Sequence, residues 1–191
     1  MLRSLLSKDT ISLDEVAAHL DSLNHDERVR QVRSVPGGLQ GPLFESAKGF
    51  APLSLEDMIP REIADRAFVR HYGKNSLPAF SHFEKRFARP AVDADTAWGY
   101  NHSSAMWLVG PGHFVLREGP DEGEMHVDYY AIPPEQLDGA PALKSNTAGI
   151  STLVYGNMID VLRRVSIHVT IGRAIKKGKE TSNYFLLCRE G

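Results

Sequence analysis

Between His113 and Ile132 apolar and polar residues alternate on both sides of Gly119-Pro-Asp-Glu-Gly123. Two strands joined by a turn explain that pattern, because successive side chains of a strand point to opposite faces. Setting Arg117 opposite Glu124 gives a favourable charge pair, with Val115 facing His126 and His113 facing Asp128. One face then carries Phe114, Leu116, Met125, Val127, Tyr129 and Ala131, and reads as core. The other carries His113, Arg117, Glu124, His126, Asp128 and Tyr130, with Val115 and Ile132. This ribbon commits the chain to an antiparallel sheet with one buried side.

The segments before it read as helices. Ser12-Leu-Asp-Glu15 and Asn24-His-Asp-Glu27 each place a capping side chain three residues ahead of a glutamate. They predict helices bearing Val16, Ala17 and Leu20, then Val29 and Val32 inward, the second ending at Pro36-Gly-Gly. Residues 36–53 read as a loop with a short helical piece over 43–47. Ser54 to Asp57 predicts one capped turn. Pro60 opens an expected helix over 61–71. Phe80, Phe83 and Phe87 suggest another over 78–88, their aromatic stripe belonging to core.

After Pro90 short strands are expected at 98–100 and 105–109 ahead of the ribbon. Ile150, Leu153, Val154, Met158, Val161, Leu162 and Val165 recur at helical spacing and predict one long helix. Ile167, Val169 and Ile171 alternate as a strand, and a turn over 176–181 leads to a last strand over 183–189. The resulting expectation is an α+β fold: an antiparallel sheet of about five strands packed against one long helix, with an N-terminal helical segment. The whole chain, 1–191, reads as a single domain, with 1–90 mainly helical and 91–191 forming the sheet and long helix.

Composition narrows the function classes. The chain has 191 residues, 42% of them hydrophobic, and a net charge of −2. That suits a folded core and disfavours a general polyanion binder. The one cysteine, Cys188, excludes an internal disulfide and any zinc site built on several cysteines. The apolar stretch before Lys8 is too short for a signal-peptide core, and no window approaches the ~20 apolar residues that span a bilayer. A cytoplasmic chain without membrane insertion is the expectation.

No motif fixes a reaction. Gly172 to Lys179 is one residue too long for a P-loop and lacks the following Ser or Thr. There is no Gly-x-Ser-x-Gly elbow. His126-Val-Asp128 with His168 is similar to the two-histidine, one-carboxylate set of non-haem iron oxygenases, but that set needs many strands and no intervening helix. Neither a metal nor another cofactor is expected. The basic cluster Lys176, Lys177 and Lys179 reads first as a solvated hairpin tip and second as a site for a protein partner. Sparse aromatics beside it argue against nucleic acid.

The leading functional expectation is a pocket for a small apolar molecule between sheet and helices. Trp98, Tyr100, Trp107, Tyr130 and Tyr155 would supply surface, and His113, His126, Asp128 and His168 orientation. The competing reading is an ordinary solvated outer face. The alternatives are an acid–base enzyme using His126 and Asp128, and a regulatory or scaffolding protein.

Overall fold

The computed structural model describes residues 1–78, 81–91 and 95–191. Eight strands close into an antiparallel barrel: β1 (Val69–Asn75), β2 (His82–Ala88), β3 (Ala97–His102), β4 (Phe114–Glu118), β5 (Met125–Asp128), β6 (Met158–Arg164), β7 (Val169–Lys176) and β8 (Lys179–Arg189). Each strand pairs with the next, and β8 returns to β1 through pairs such as Tyr72 with Cys188. Closure leaves no sheet edge to protect. It replaces the expected α+β arrangement of about five strands and one long helix.

The ribbon lies in β4 and β5. Its register differs from the expected one by two residues: Arg117 faces His126 and Val115 faces Asp128. A shift of two preserves parity, so the faces survive, and Phe114, Leu116, Met125, Val127 and Tyr129 are all buried in the lumen. The expected long helix is instead a four-residue turn, α7 (Ser151–Val154), followed by β6. Strand β6 is covered on both sides. Leu162 faces the lumen, and Val161 packs on the helices outside, so alternation vanishes and the apolar run mimics a helix. The expected helix over 78–88 is β2 from His82 onward. Phe83 and Phe87 share a strand face because four is also an even spacing; Phe80 lies outside the described residues. Residues 61–67 form turns into β1 rather than a helix, and 106–109 form a turn, α6 (Met106–Val109), rather than a strand.

The N-terminal helices α1 (Leu2–Leu6), α2 (Leu13–Asp21), α3 (His25–Arg33) and α4 (Gly37–Ser46) build a second core outside the barrel. The Ser12 and Asn24 side chains accept from the Glu15 and Glu27 amides, capping α2 and α3 as the sequence predicts. Helix α4 extends well beyond the short piece expected there, despite Pro42 within it. Its Leu43 and Phe44 pack on the wall formed by Val161, Ile171 and Leu186. The Arg163 guanidinium lies 3.9 Å from the Phe44 ring centroid and donates to Glu124 at 2.6 Å.

Inside, the barrel is narrow. A Cβ on Gly99 would collide with the Phe114 ring, and one on Gly172 with Phe185, so each glycine leaves room for the aromatic ring of its paired residue on the neighbouring strand. One end is plugged by α5 (Leu55–Met58), where Ser54 and Asp57 form a reciprocal capping box. The plug's Met58 and Ile59 are fully buried. Among the described residues no helix is long and apolar enough to cross a membrane.

Candidate functional site

The lumen is apolar at the α5 end and becomes polar towards the other. Along β2, Phe83, Lys85 and Phe87 face inward, and along β6, Asp160 and Leu162 do. Strand closure therefore brings Lys85 and Asp160 together across the barrel, although 75 positions separate them in the chain. Lys85 Nζ lies 3.0 Å from Asp160 Oδ2, and both side chains are all but inaccessible, at 2% and 3% exposure. Lys85 also donates to Asn101 Oδ1 at 2.9 Å and to the Tyr129 hydroxyl. That hydroxyl in turn donates to Asp160 Oδ2 at 3.2 Å, and Asn101 Nδ2 donates to the Gly112 carbonyl at 3.0 Å.

The cluster is caged by rings. The Phe114, Tyr129 and Phe185 centroids lie 5.0–5.1 Å from Lys85 Nζ. A cation so placed is attracted to the ring faces but has lost its water. Burial lowers the Lys85 pKa, with Asp160 opposing the shift. Burial likewise raises Asp160, with Lys85 and Tyr129 opposing it. The Tyr129 phenol is pushed well up, by burial first and then by the Asp160 charge, and stays protonated.

Directly above the cluster is a cavity of about 160 Å³. Phe83, Val109, Val154, Met158 and Phe185 supply its apolar walls, while Lys85, Asn101, Tyr129 and Asp160 face it from one side. Tyr155 stacks on Tyr129, with centroids 5.4 Å apart and planes inclined by 19°. The cavity opens past Asn75 and Leu77 at the end of β1, Val109 of α6 and Val154 of α7. The expected pocket between sheet and helices is not where this cavity lies.

Of the residues singled out from sequence, Tyr155 alone lines this cavity. Trp98, Tyr100 and His113 sit on the outer wall. Trp98 packs with Leu137 in a small separate core, and Tyr100 packs edge-on to Phe68. His113 Nε2 donates to the Ala142 carbonyl, and burial lowers its pKa. Asp128 is held by Arg117 and accepts from the Tyr130 amide at 2.8 Å. His126, on the same outer face, is half-buried, with its pKa lowered chiefly by desolvation. Tyr130 and Trp107 are exposed. His168 lies in the β6–β7 turn, where burial and then Arg28 and Arg189 lower its pKa. Among the described residues no group of three or more His, Cys, Asp or Glu side chains is disposed to hold a metal.

Sequence reasoning missed Lys85, Asn101 and Asp160, and took Tyr129 for plain core. The signal was present in the strand period. Phe83-Glu-Lys85-Arg-Phe87 and Met158-Ile-Asp160-Val-Leu162 each put one charge on an apolar face. Tested against family models, curated proteins and solved structures, the chain finds no match, so any functional reading rests on this geometry.

Proposed function

We propose that the barrel lumen binds a small, largely apolar molecule about the size of one aromatic ring, carrying an oxygen that Lys85 holds. The supporting observation is a cavity of about 160 Å³ that ends on a buried lysine–aspartate pair. An apolar protein cavity of ~150 Å³ accepts benzene. Eight-stranded barrels have room for packed side chains or for one small ligand. Asp160, Asn101 and Tyr129 occupy the three N–H groups of Lys85, so a ligand carbonyl or carboxylate would take the place of one of these partners, while Asp160 offers a further acceptor to a hydroxyl.

The test is a thermal-shift screen with monocyclic aromatics, each with and without a carbonyl, carboxyl or hydroxyl group. A ligand at 100 times its Kd should stabilise the fold by about 2.7 kcal/mol. The Lys85→Met variant should keep any affinity for the bare ring and lose the preference for the oxygenated compound. Absence of stabilisation by every compound would sink the reading. A second reading adds proton transfer between the ligand and Lys85 or Asp160, favoured because burial draws the two groups' pKa values towards each other. It predicts loss of the α-proton NMR signal of bound carbonyl compounds in deuterated water; an unchanged signal would reject it.

A further inference from the structure

The mouth of the lumen is rimmed by residues that a water-facing surface does not need. Trp107 is 84% exposed and Leu153 76%, and Leu77, Leu108 and Ile150 are exposed beside them. Scattered single apolar residues on a surface are ordinary; five around one opening are a patch. The segments are tied together. The Ser151 hydroxyl donates to the Val109 carbonyl at 2.8 Å, joining α7 to α6. Leu77, Val109 and Val154 line the same cavity.

The β7–β8 turn completes the rim. Lys176 Nζ donates to the Leu153 carbonyl, and the Lys177 amide donates to the Asn157 carbonyl at 2.8 Å. Lys176, Lys177 and Lys179 therefore stand beside the apolar patch. Segments 75–78, 103–110, 147–155 and 176–180 contain one acidic residue, Glu180, and Arg173 neutralises it at 2.9 Å.

We infer that this mouth docks on an anionic lipid surface, with Trp107, Leu108 and Leu153 entering the headgroup boundary and the three lysines meeting lipid phosphates. Tryptophan favours that boundary because its ring is apolar and its N–H polar. Lysines beside an apolar face add attraction to anionic lipid. Charge selects this occupant over a second copy of the chain: among the described residues, the rim segments hold no unpaired acid to meet their own lysines, so self-association would oppose like charges. Docking would also place the lumen opening against the phase in which a small apolar molecule accumulates. Binding to lipid is measured without any lumen ligand, so its outcome is independent of the reading above.

The chain carries its own probe, since Trp98 is buried and Trp107 is the other tryptophan. Vesicles of phosphatidylglycerol and phosphatidylcholine should pull the full-length protein down and shift its fluorescence to the blue, with quenching by brominated acyl chains. Replacing Lys176, Lys177 and Lys179 by Gln should weaken this roughly 100-fold, at about fivefold per charge. Trp107→Ser with Leu153→Ser should abolish it while leaving the melting temperature unchanged, since both side chains face solvent. No association with anionic vesicles, equal association with pure phosphatidylcholine, or concentration-dependent dimerisation lost in Leu153→Ser would overturn the proposal.

Discussion

The two ends of the barrel are built on opposite principles. At the α5 end the lumen is full. Met58 and Ile59 plug it, Arg89 donates to the carbonyls of Ile59 at 2.9 Å and Pro60 at 3.3 Å, and His71 Nε2 donates to the Met58 carbonyl at 2.9 Å. Arg164 pairs with Asp57 at 3.1 Å, and the Leu53 amide donates to the Gly123 carbonyl. At the α6–α7 end the same barrel retains a cavity, a buried ion pair and an apolar rim. Packing, side-chain donors to backbone carbonyls and a partly exposed ion pair hold the first end. The second carries desolvated charge, which is weak evidence for stability and better understood through the space it faces.

That contrast is sharpest in the Lys85–Asp160 pair. Lys85→Met alone strands a carboxylate in the lumen and should cost about 3–5 kcal/mol in chemical denaturation. Lys85→Met combined with Asp160→Leu should recover most of that loss. If the double variant is no more stable than the single one, the pair is part of the scaffold and the comparison between the ends fails. Aromatic truncation probes the same division. Phe87 is fully buried against the His71 ring, 4.8 Å away, whereas Phe83 borders the cavity. Phe87→Ala should cost about 3–5 kcal/mol. Phe83→Ala should cost well under half of that and chiefly alter ligand size preference.

How far the sequence revealed this architecture depends on what each strand touches. Where one face meets the lumen and the other water, as at Leu116 and Arg117, alternation is plain and both faces of the ribbon were readable. Where both faces are buried, as in β6, the period disappears and a strand reads as a helix. The caps at Ser12, Asn24 and Ser54 were legible because they are local hydrogen-bonding chemistry. Barrel closure was not, because pairing β1 with β8 joins residues more than a hundred positions apart. The polar lumen was hidden for the same reason. Lys85 reads as one more surface cation until Asp160 is known to lie across from it. The imidazoles stand out by residue type, but the strand parity puts His113 and His126 on the outer wall.

Acid should weaken the closed end first. Burial lowers the His71 pKa from 6.5 to about 3, with the bond to the Met58 carbonyl opposing the shift. The folded chain therefore refuses a proton that the unfolded chain accepts below 6.5. The neutral imidazole's contribution is complete above pH 6.5 and is lost as the pH falls towards 3, at about 1.4 kcal/mol per pH unit. His71→Gln keeps a donor for the Met58 carbonyl without a titrating group. Its melting temperature should fall less between pH 6.5 and 4.5 than that of the parent. Parallel profiles would remove His71 from the account of the plug.

The smallest contrast separates two serines, one at each end. Ser54 Oγ accepts the Asp57 amide, and the Ser54 amide donates to the Asp57 carboxylate at 2.9 Å, so the box sets the first turn of the plug. Ser151 Oγ donates to the Val109 carbonyl and only joins one short turn to another. Ser54→Ala should lower global stability by about 1 kcal/mol, because a loosened plug exposes Met58 and Ile59 to water. Ser151→Ala should leave the melting temperature nearly unchanged, since the mouth it releases covers a cavity rather than packed core. Its signature should be faster amide exchange at Tyr155, whose N–H donates to the Ser151 carbonyl at 2.7 Å. Equal losses of melting temperature in the two variants would mean that the mouth is knitted into the cooperative fold as tightly as the plug, and that access to the lumen requires more than local opening.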